Sequence, residues 1–223
     1  MPEVILRSAT HPVSIGSMYC IGRNYLRHIQ ELENEVNAEP VLFLKPAASL
    51  ITEGRMIELP AYSSDVHHET ELVLLIGREG RHIAEEQALD YLAGAGIGLD
   101  LTARDTQQKL KEKGLPWTLA KGFETAACVS DFLPLSMLPP LDSLRFTLQV
   151  NGALRQEGDT SLMIFSVPRI LAFISSIVTL LPGDLIFTGT PHGVAAIHEG
   201  DVLDLRLGDA LLATFRVRGE GNE

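Results

Sequence analysis

Cysteine is nearly absent from this chain, which has only Cys20 and Cys128 among 223 residues. A disulfide-dense secreted domain or a cysteine-rich zinc module needs several closely spaced cysteines. Neither cysteine has an obvious histidine partner in the sequence around it. We therefore interpret both as reduced residues of the hydrophobic core, and the two classes of small domain are excluded.

Basic residues are also few. The chain carries 18 lysines and arginines against 29 acids, a formal net charge of −11, whereas nucleic-acid binding depends on clustered basic side chains. The longest uncharged apolar run covers residues 170–183 and is shorter than the about 20 residues that span a bilayer. The first residues lack a basic segment followed by an apolar core. We expect a cytoplasmic protein that contacts neither nucleic acid nor membrane.

Several catalytic signatures are missing as well. No GxGxxG motif follows a predicted strand, and neither a Walker loop nor a GxSxG nucleophile elbow occurs. What remains is a globular composition, with 45% hydrophobic and 21% charged residues. A chain of this length forms one or two domains and buries about 70% of its unfolded surface.

Short apolar segments predict strands, and helical spacing with caps predicts helices. Strands are predicted at residues 41–44, 69–77, 93–101, 126–129, 143–150, 184–187, 202–207 and 211–217, and helices at 84–92, 102–113 and 166–181. Asn151-Gly152 predicts a type I′ hairpin. Without a regular βαβ rhythm, the pattern favours an α+β fold with mixed, mainly antiparallel sheets. We predict a small N-terminal appendage at 1–16 and one catalytic domain at 17–223.

Three carboxylates stand where a metal site could form. Glu69 and Glu71 are two residues apart at the start of a predicted strand, which places both on one face. Asp100 ends the predicted strand 93–101. Oxygen-only ligation favours Mg²⁺ or Mn²⁺ over zinc. Two alternatives stay open at this point: a solvated strand end without a metal, and a zinc site that uses His67 or His68.

Further polar residues could act on a substrate. The spacing of Asp100, Arg104 and Gln107 fits one helix face, and Arg104 could bind a carboxylate; a salt bridge to Asp105 or Glu112 is the equally simple alternative. Lys121 lies in the apolar segment LPWTLAKGF, where a lysine needs an anionic partner or loses its proton. A surface lysine with a buried stem is the other interpretation.

The segment 28–39 predicts a short polar helix or a mobile flap. His28 and Glu31 are three residues apart, so a helical turn would let Glu31 orient His28 as a general base. An exposed polar helix explains the pair equally well. Gln156 and Thr190 lie in two polar loops that could face a ligand, although each loop alone is ordinary turn chemistry.

Taken together, these segments resemble the fumarylacetoacetate hydrolase family, in particular its acylpyruvase and oxaloacetate-decarboxylase-like branch. The matching motifs span residues 17–217 and include YCIGRNYLRHIQE, LFLKP, HHETELVLLIG, GLDLTARDTQ, GLPWTLAKGFE, VNGALRQEGDTSLMIF and LPGDLIFTGTP. The resemblance implies a mixed β-roll with a few short helices, usually in a homodimer. One departure is Glu124, where many relatives have aspartate.

The resemblance also implies roles for individual residues. It implies Mg²⁺ or Mn²⁺ at Glu69, Glu71 and Asp100, and a water-activating dyad of His28 and Glu31. The lysine near the developing oxyanion matches Lys121. Substrate-side positions match Arg23, Arg104, Gln107, Gln156 and Thr190, and Lys45 matches a further family position.

The expected substrate is a small 2-oxo acid, whose carboxylate and 2-oxo group form a chelate for the ion. We expect a hydrolase that cleaves the C–C bond of acylpyruvates such as fumarylpyruvate or acetylpyruvate by way of a metal-stabilised pyruvate enolate. The same enolate accounts for decarboxylation of oxaloacetate. The alternatives are an isomerase or tautomerase of 2-hydroxyhepta-2,4-diene-1,7-dioate-like compounds or oxaloacetate, and a binding protein without activity.

Overall fold

The fold is taken from a computed structural model, which describes residues 2–31, 38–208 and 210–219. The predicted polar helix or flap at 28–39 lies partly outside these residues, because 32–37 are not among them. The strands are β1 (Glu3–Val4), β2 (Val13–Ser14), β3 (Met18–Gly22), β4 (Val41–Lys45), β5 (Leu50–Thr52), β6 (Met56–Ile57), β7 (Val66–His68), β8 (Thr70–Ile76), β9 (Leu92–Asp100), β10 (Thr102–Ala103), β11 (Ala127–Val129), β12 (Leu133–Pro134), β13 (Arg145–Val150), β14 (Ala153–Asp159), β15 (Leu185–Phe187), β16 (Ala195–Ala196), β17 (Val202–Leu207) and β18 (Ala210–Val217).

Helices are short and few. The α-helices are α1 (Leu26–Glu31), α2 (Arg104–Glu112), α3 (Thr118–Lys121) and α4 (Val167–Ile177), and 3₁₀ turns occupy Ala47–Ser49, Glu85–Tyr91, Leu135–Met137 and Thr160–Leu162. The described part of the chain contains no helix that is long and apolar enough to cross a membrane.

Two larger sheets carry the fold. In the eight-stranded sheet the order is β4-β3-β15-β8-β9-β11-β5, with β12 paired to β9, and in the five-stranded sheet it is β14-β13-β17-β18-β6. A three-stranded sheet, β10-β7-β16, and the hairpin β1-β2 complete it. Most pairs are antiparallel, and the parallel ones include β15 with β3 and β11 with β5. The prediction of a mixed, mainly antiparallel α+β fold is confirmed.

Strand β8 is buried on both faces, which explains its continuous apolar run. Leu72 and Leu74 belong to one hydrophobic cluster, whereas Val73 and Leu75 belong to a second cluster on the opposite face. The first residues of the chain pack into this second cluster through Val4 and Ile15 among others. The boundary of a separate appendage at residue 16 stays a prediction.

Several element boundaries differ from the predicted ones. The predicted helix at 84–92 is the 3₁₀ segment Glu85–Tyr91, which has no side-chain cap at its start. Helix α2 begins only at Arg104, because β10 before it pairs with β7. Helix α4 starts at the predicted cap Ser166 but ends at Ile177, because Leu180 forms an extended bridge with Gly80.

The turn between β13 and β14 is as predicted. Asn151 and Gly152 have φ angles of 52° and 78°, the positive values that a type I′ turn requires. This turn sets the antiparallel register of β13 and β14.

The glycines of β9 allow other backbones to approach it closely. Gly98 lies opposite Glu71 in β8 and opposite Val129 in β11. A Cβ atom at Gly98 would lie 2.6 Å from the carbonyl oxygen of Cys128 and 2.8 Å from Cγ2 of Val73. The tight packing at this position therefore requires glycine.

We expect Gly98→Ala to lower the free energy of unfolding by about 1–3 kcal/mol, because the added methyl group overpacks the sheet. Urea denaturation followed by circular dichroism measures the change. The control is Gly219→Ala, where an added Cβ would lie 3.7 Å from the backbone nitrogen of Gly200. Equal stability of both variants would contradict the assigned packing.

Candidate metal centre and active site

Three buried carboxylates converge at the junction of the eight-stranded and three-stranded sheets. Glu69 lies between β7 and β8, Glu71 lies in β8, and Asp100 ends β9. Asp100 N donates a 2.8 Å hydrogen bond to Glu69 O, which holds the strand ends together. Each residue is at most 5% exposed, and one carboxylate oxygen from each lies within 4.8 Å of the other two. The structure therefore brings the predicted triad into one cluster.

Three cationic side chains surround this carboxylate triad. Lys121 Nζ lies 2.8 Å from Glu69 Oε2 and 2.6 Å from Asp100 Oδ2. Arg104 donates to Glu69 Oε1, and Lys45 Nζ lies 2.7 Å from Asp100 Oδ1. Buried acids need such partners, because an unpaired charge away from water is very costly.

The cations act unequally on the acids. Burial raises the pKa of Glu69, but Lys121 and Arg104 outweigh burial and hold this pKa below its usual range. The pKa of Glu71 is raised well above its usual value, first by burial and then by the negative charges of Asp100 and Glu69. Burial lowers the pKa of Lys121, but Asp100 and Glu69 outweigh it and raise this pKa. Glu71 is therefore the acid with the least compensation.

The triad fits a divalent cation that prefers oxygen ligands. Glu71 Oε2 accepts one hydrogen bond, from Gly189 N at 2.6 Å. Asp100 Oδ1 is buried and accepts no hydrogen bond from the described residues, despite its ion pair with Lys45. A carboxylate oxygen that already accepts one hydrogen bond still has a lone pair for an ion. Glu69, Glu71 and Asp100 would hold Mg²⁺ or Mn²⁺.

Lys45 fixes the backbone segments that carry the triad and Lys121. Its ammonium donates to the backbone oxygens of Leu101, Lys121 and Ala126 at 3.1, 2.5 and 2.8 Å. All three N–H groups are thus directed at carbonyls, which explains why Asp100 Oδ1 receives charge from Lys45 but no hydrogen bond. Lys45 fixes the end of β9 against the segment that carries Lys121. In the sequence, its only local signal is a lysine that ends an apolar strand.

His28 and Glu31 form a hydrogen-bonded pair on α1. His28 Nδ1 lies 3.3 Å from Glu31 Oε2, and Gly193 N donates to Glu31 Oε1 at 3.0 Å. Because a carboxylate only accepts, we assign the proton to Nδ1 and the free lone pair to Nε2. Burial lowers the pKa of His28, although Glu69 and Glu31 oppose it. The imidazole is therefore neutral at pH 7, as a proton acceptor must be.

Asn24 ties α1 to the loop that contacts the triad. This fully buried amide donates to Thr188 O at 2.8 Å and to Phe165 O at 3.1 Å, and it accepts from Phe165 N at 2.7 Å. The next residue after Thr188 is Gly189, whose N–H binds Glu71. The sequence analysis missed Asn24, because an amide within GRNY gives no local sign that its partners lie more than 100 residues away.

Helix α2 presents Arg104 and Gln107 to the same cavity. Arg104 Nη1 donates to Gln107 Oε1 at 2.7 Å, and its other contact is Glu69. The alternative partners Asp105 and Glu112 are wrong for Arg104, because Asp105 contacts Ser63 and Glu112 contacts Gln108. Asp100 ends β9, as predicted, so Arg104 and Gln107 lie on the helix without it.

Gln156 lies behind the site rather than facing it. Its amide donates to Thr190 Oγ1 at 2.8 Å and to Pro191 O at 3.0 Å, while its oxygen accepts from Thr70 N at 3.0 Å. Gln156 is not among the residues that line the cavity, and its amide supports Thr190, which is; its direct contact with a ligand stays a prediction. The oxygen of this amide is also 2.8 Å from His68 Nδ1.

The zinc alternative is not supported by the histidine contacts. His67 Nε2 lies 2.9 Å from Asp65 Oδ1, and His68 is held by Gln156. Neither belongs to the cluster of potential metal ligands formed by the described residues.

A single cavity is lined by most of the candidate site residues. The triad, His28, Lys121 and most of the predicted substrate-side residues share it with a few apolar side chains. Its lining comprises Ile21, Gly22, Arg23, His28, Phe43, Glu69, Glu71, Asp100, Arg104, Gln107, Lys111, Trp117, Lys121 and Thr190.

The sequence that forms this site also matches a known protein family. The profile described as fumarylacetoacetate (FAA) hydrolase C-terminal matches residues 17–218. The chain belongs to the fumarylacetoacetate hydrolase family. The family resemblance noted in the sequence is thereby confirmed, as is its fold.

Relatives within the fumarylacetoacetate hydrolase family carry different activities in their names. The rat mitochondrial oxaloacetate tautomerase FAHD1 is 48% identical over 90% of this chain and 91% of its own length. A mitochondrial oxaloacetate decarboxylase of Dictyostelium discoideum is 46% identical over 82% of this chain and 84% of its own. Fumarylpyruvate hydrolase from Pseudomonas aeruginosa, solved in complex with Mn²⁺ and pyruvate, has a TM-score of 0.91 and 33% identity, and the match covers 98% of this chain and 96% of that one.

We expect Lys45→Met to lower the free energy of unfolding by about 3–5 kcal/mol, because Asp100 loses one of its two buried cations and three carbonyl oxygens lose their buried donor. Urea denaturation measures the loss. Lys109→Met is the control, since the Lys109 side chain is 70% exposed and its ion pair with Asp105, at 4.0 Å, is long. An exposed pair of this length contributes little to stability. A Lys45→Met protein as stable as this control would contradict the supporting role.

We expect Glu71→Gln to weaken Mn²⁺ binding by at least about a hundredfold, more than the loss of an outer-sphere partner costs. The amide oxygen can still accept from Gly189 N, so the protein should stay folded. Paramagnetic resonance of free Mn²⁺, titrated without substrate, gives the affinity. Unchanged affinity would show that the triad is not the metal site.

Proposed function

We propose that this protein is a hydrolase, dependent on Mg²⁺ or Mn²⁺, that cleaves the C–C bond of acylpyruvates and also decarboxylates oxaloacetate. The observation that carries the proposal is the presence of His28, with Glu31 behind it, in the same cavity as the carboxylate triad and Lys121. A base that activates water is needed for hydrolysis and not for simple decarboxylation.

The triad supplies the electrophilic half of the site. When bound, Mg²⁺ or Mn²⁺ supplies a Lewis acid for the carboxylate and 2-oxo oxygens of the substrate. Binding of Mn²⁺ and pyruvate by the fumarylpyruvate hydrolase of Pseudomonas aeruginosa supports this assignment. Arg104, Gln107 and Thr190 line the cavity beside the triad and are proposed to orient the substrate, as is Arg23.

His28 supplies the basic half. Its Nε2 takes a proton from water while the water oxygen attacks the distal ketone carbon of the acylpyruvate. The bond from that carbon to the neighbouring methylene then breaks, and its electron pair stays on the pyruvate half as an enolate. The acyl half leaves as a carboxylic acid. His28 returns its proton to the methylene carbon to give pyruvate, so one water is consumed and no oxidant is needed.

Lys121 is proposed to stabilise the oxyanion at the attacked carbonyl. Its raised pKa keeps the ammonium charged. Two of its three N–H groups are directed at Glu69 and Asp100, and the third can donate to a substrate oxygen. Donors fixed in advance by buried ion pairs need little reorganisation as negative charge develops.

Oxaloacetate tautomerisation is the second candidate, favoured by the 48% identity to the rat tautomerase. It moves a proton between carbon and oxygen of the substrate without addition of water, and isomerisation of 2-hydroxyhepta-2,4-diene-1,7-dioate-like compounds is of the same type. The same cavity could hold these substrates, because each contains a 2-oxo or 2-hydroxy acid. A homodimer is part of the proposal on the family resemblance, and a cytoplasmic location also stays part of it.

A substrate panel separates the candidates. Acetylpyruvate, fumarylpyruvate and oxaloacetate are incubated with protein and Mg²⁺, with EDTA, and with Mg²⁺ restored. We expect equimolar pyruvate and carboxylic acid from an acylpyruvate, loss of this activity in EDTA, and recovery with Mg²⁺. Enol–keto exchange of oxaloacetate without pyruvate release from either acylpyruvate would favour the tautomerase instead.

In the same assay, we expect His28→Ala to lower kcat for acylpyruvate hydrolysis by at least about a hundredfold, the usual contribution of a general base. Mn²⁺ affinity is the control measurement, and it should stay close to that of the wild type because His28 is not in the triad. Hydrolysis at the wild-type rate would remove His28 from the mechanism.

A further inference from the structure

One peptide group lies between Asn24 and the carboxylate triad. Its carbonyl belongs to Thr188 and its N–H to Gly189. Asn24 Nδ2 donates to the carbonyl at 2.8 Å, and the N–H donates to Glu71 Oε2 at 2.6 Å. The peptide is trans, so its carbonyl and its N–H point in opposite directions within one plane. Asn24 therefore holds the far end of the group that gives Glu71 its hydrogen bond.

The other contacts of Thr188 leave the rotation of this peptide plane open. Its backbone N–H and its hydroxyl both donate to Leu72 O, at 3.1 and 2.9 Å, but these groups precede the bond about which the plane turns. Gly189 has a φ of 101°, and glycine adopts negative φ values about as readily. A flip that exchanges the directions of the carbonyl and the N–H is therefore sterically open to the backbone of this pair.

A flipped peptide would harm the triad at its least compensated acid. The N–H would leave Glu71, and the partial negative charge of the Thr188 oxygen would turn toward a buried carboxylate. The carboxylate would then lose the one hydrogen bond that it accepts from the described residues. The direction of this single peptide therefore decides how Glu71 is held.

The Asn24 side chain is itself fixed in one orientation. Phe165 N donates to Asn24 Oδ1 at 2.7 Å, which assigns the oxygen and leaves the NH₂ group to face the carbonyls of Phe165 and Thr188. Ile164 N donates to Asn24 O at 2.9 Å. A Cβ atom at Gly189 would lie only 2.6 Å from Asn24 Cβ, so the side chain packs directly on the peptide that it binds.

We propose that Asn24 is a positioning residue that locks the Thr188–Gly189 peptide with its N–H toward Glu71, and thereby holds this carboxylate in the orientation that binds a divalent ion. Asn24 is not in the cavity lining, so it acts through the peptide and not on the ion or the substrate. The inference rests on the metal site of the proposed function and deepens it, because it names what fixes one ligand in advance.

The first measurement follows the peptide itself, in the full chain without metal. Thr188-Gly189 is the only Thr-Gly pair in the sequence. Cell-free synthesis with carbonyl-¹³C threonine and ¹⁵N glycine therefore leaves one amide, that of Gly189, in a carbonyl-filtered NMR spectrum. We expect this amide to exchange slowly with solvent in the wild type. In Asn24→Ala it should exchange up to about tenfold faster, the effect of losing one hydrogen bond, and its proton should shift upfield.

The second measurement is Mn²⁺ affinity, from paramagnetic resonance of the free ion without substrate. Asn24→Ala should weaken binding by about tenfold, the lower end of the loss expected when a group that orients a metal ligand is removed. This is a smaller loss than that expected for Glu71→Gln. Asn24→Asp is a second variant, which keeps the size of the side chain and replaces the NH₂ donor by oxygen, and both signals should change in the same direction.

Ser175→Ala is the matched control for loss of a buried polar group. The fully buried Ser175 hydroxyl accepts from Ile83 N at 3.0 Å and donates to Ala172 O at 3.1 Å, and Ser175 is not in the cavity lining. This variant should lower stability in urea, yet leave the Gly189 amide and the Mn²⁺ affinity within about twofold of the wild type.

Three results would overturn the proposal. They are a Gly189 amide that already exchanges freely in the wild type, an unchanged Gly189 signal in a folded Asn24 variant, and an equal loss of Mn²⁺ affinity in Ser175→Ala. The wild-type spectrum decides the first point even if both Asn24 variants fail to fold. Absence of acylpyruvate hydrolysis alongside the expected NMR and Mn²⁺ results would refute the reaction but not the role of Asn24.

Discussion

The structure depends on placing three carboxylates within 4.8 Å of one another away from water. Mutual repulsion and burial both oppose this arrangement. Lys45, Lys121 and Arg104 balance Glu69 and Asp100, but Glu71 receives mainly one backbone N–H and keeps a strongly raised pKa. The site is thus stable enough to fold and still short of positive charge at one ligand, which is the condition that favours a divalent cation.

The sheets explain how such a cluster is held in place. Strands β8 and β9 run antiparallel through the middle of the largest sheet and are covered on both faces, so their ends cannot shift without moving the core. The acids emerge where these strands meet the small sheet formed by β7, β10 and β16. A rigid sheet interior therefore positions the ligands, while short loops and helices bring the groups that would act on a substrate.

The proton-accepting pair, His28 and Glu31, does not lie on the large sheet and is held by a few hydrogen bonds around helix α1. His28 and Glu31 lie on a helix of six residues, which could not hold its position alone. Asn24 fixes its start to Thr188 and Phe165, and Gly193 binds the Glu31 carboxylate at its end. The same loop region binds Glu71 through Gly189. Base and triad are therefore linked through one set of hydrogen bonds between side chains and the backbone, which keeps their separation defined.

The sequence by itself determined the α+β class, the fully apolar strand β8, the hairpin at Asn151 and the acids of the triad, because each follows from local periodicity, turn chemistry or a family motif. The sequence did not determine which residues these side chains bind. Lys45 reaches a carbonyl 81 residues away, and Gln156 reaches a backbone amide 86 residues away. Only the tertiary structure decided that Arg104 binds Glu69 instead of Asp105 and that Gln156 lies behind the cavity. Such contacts depend on strand register and loop closure over long separations, and residue spacing within one segment carries no information about them.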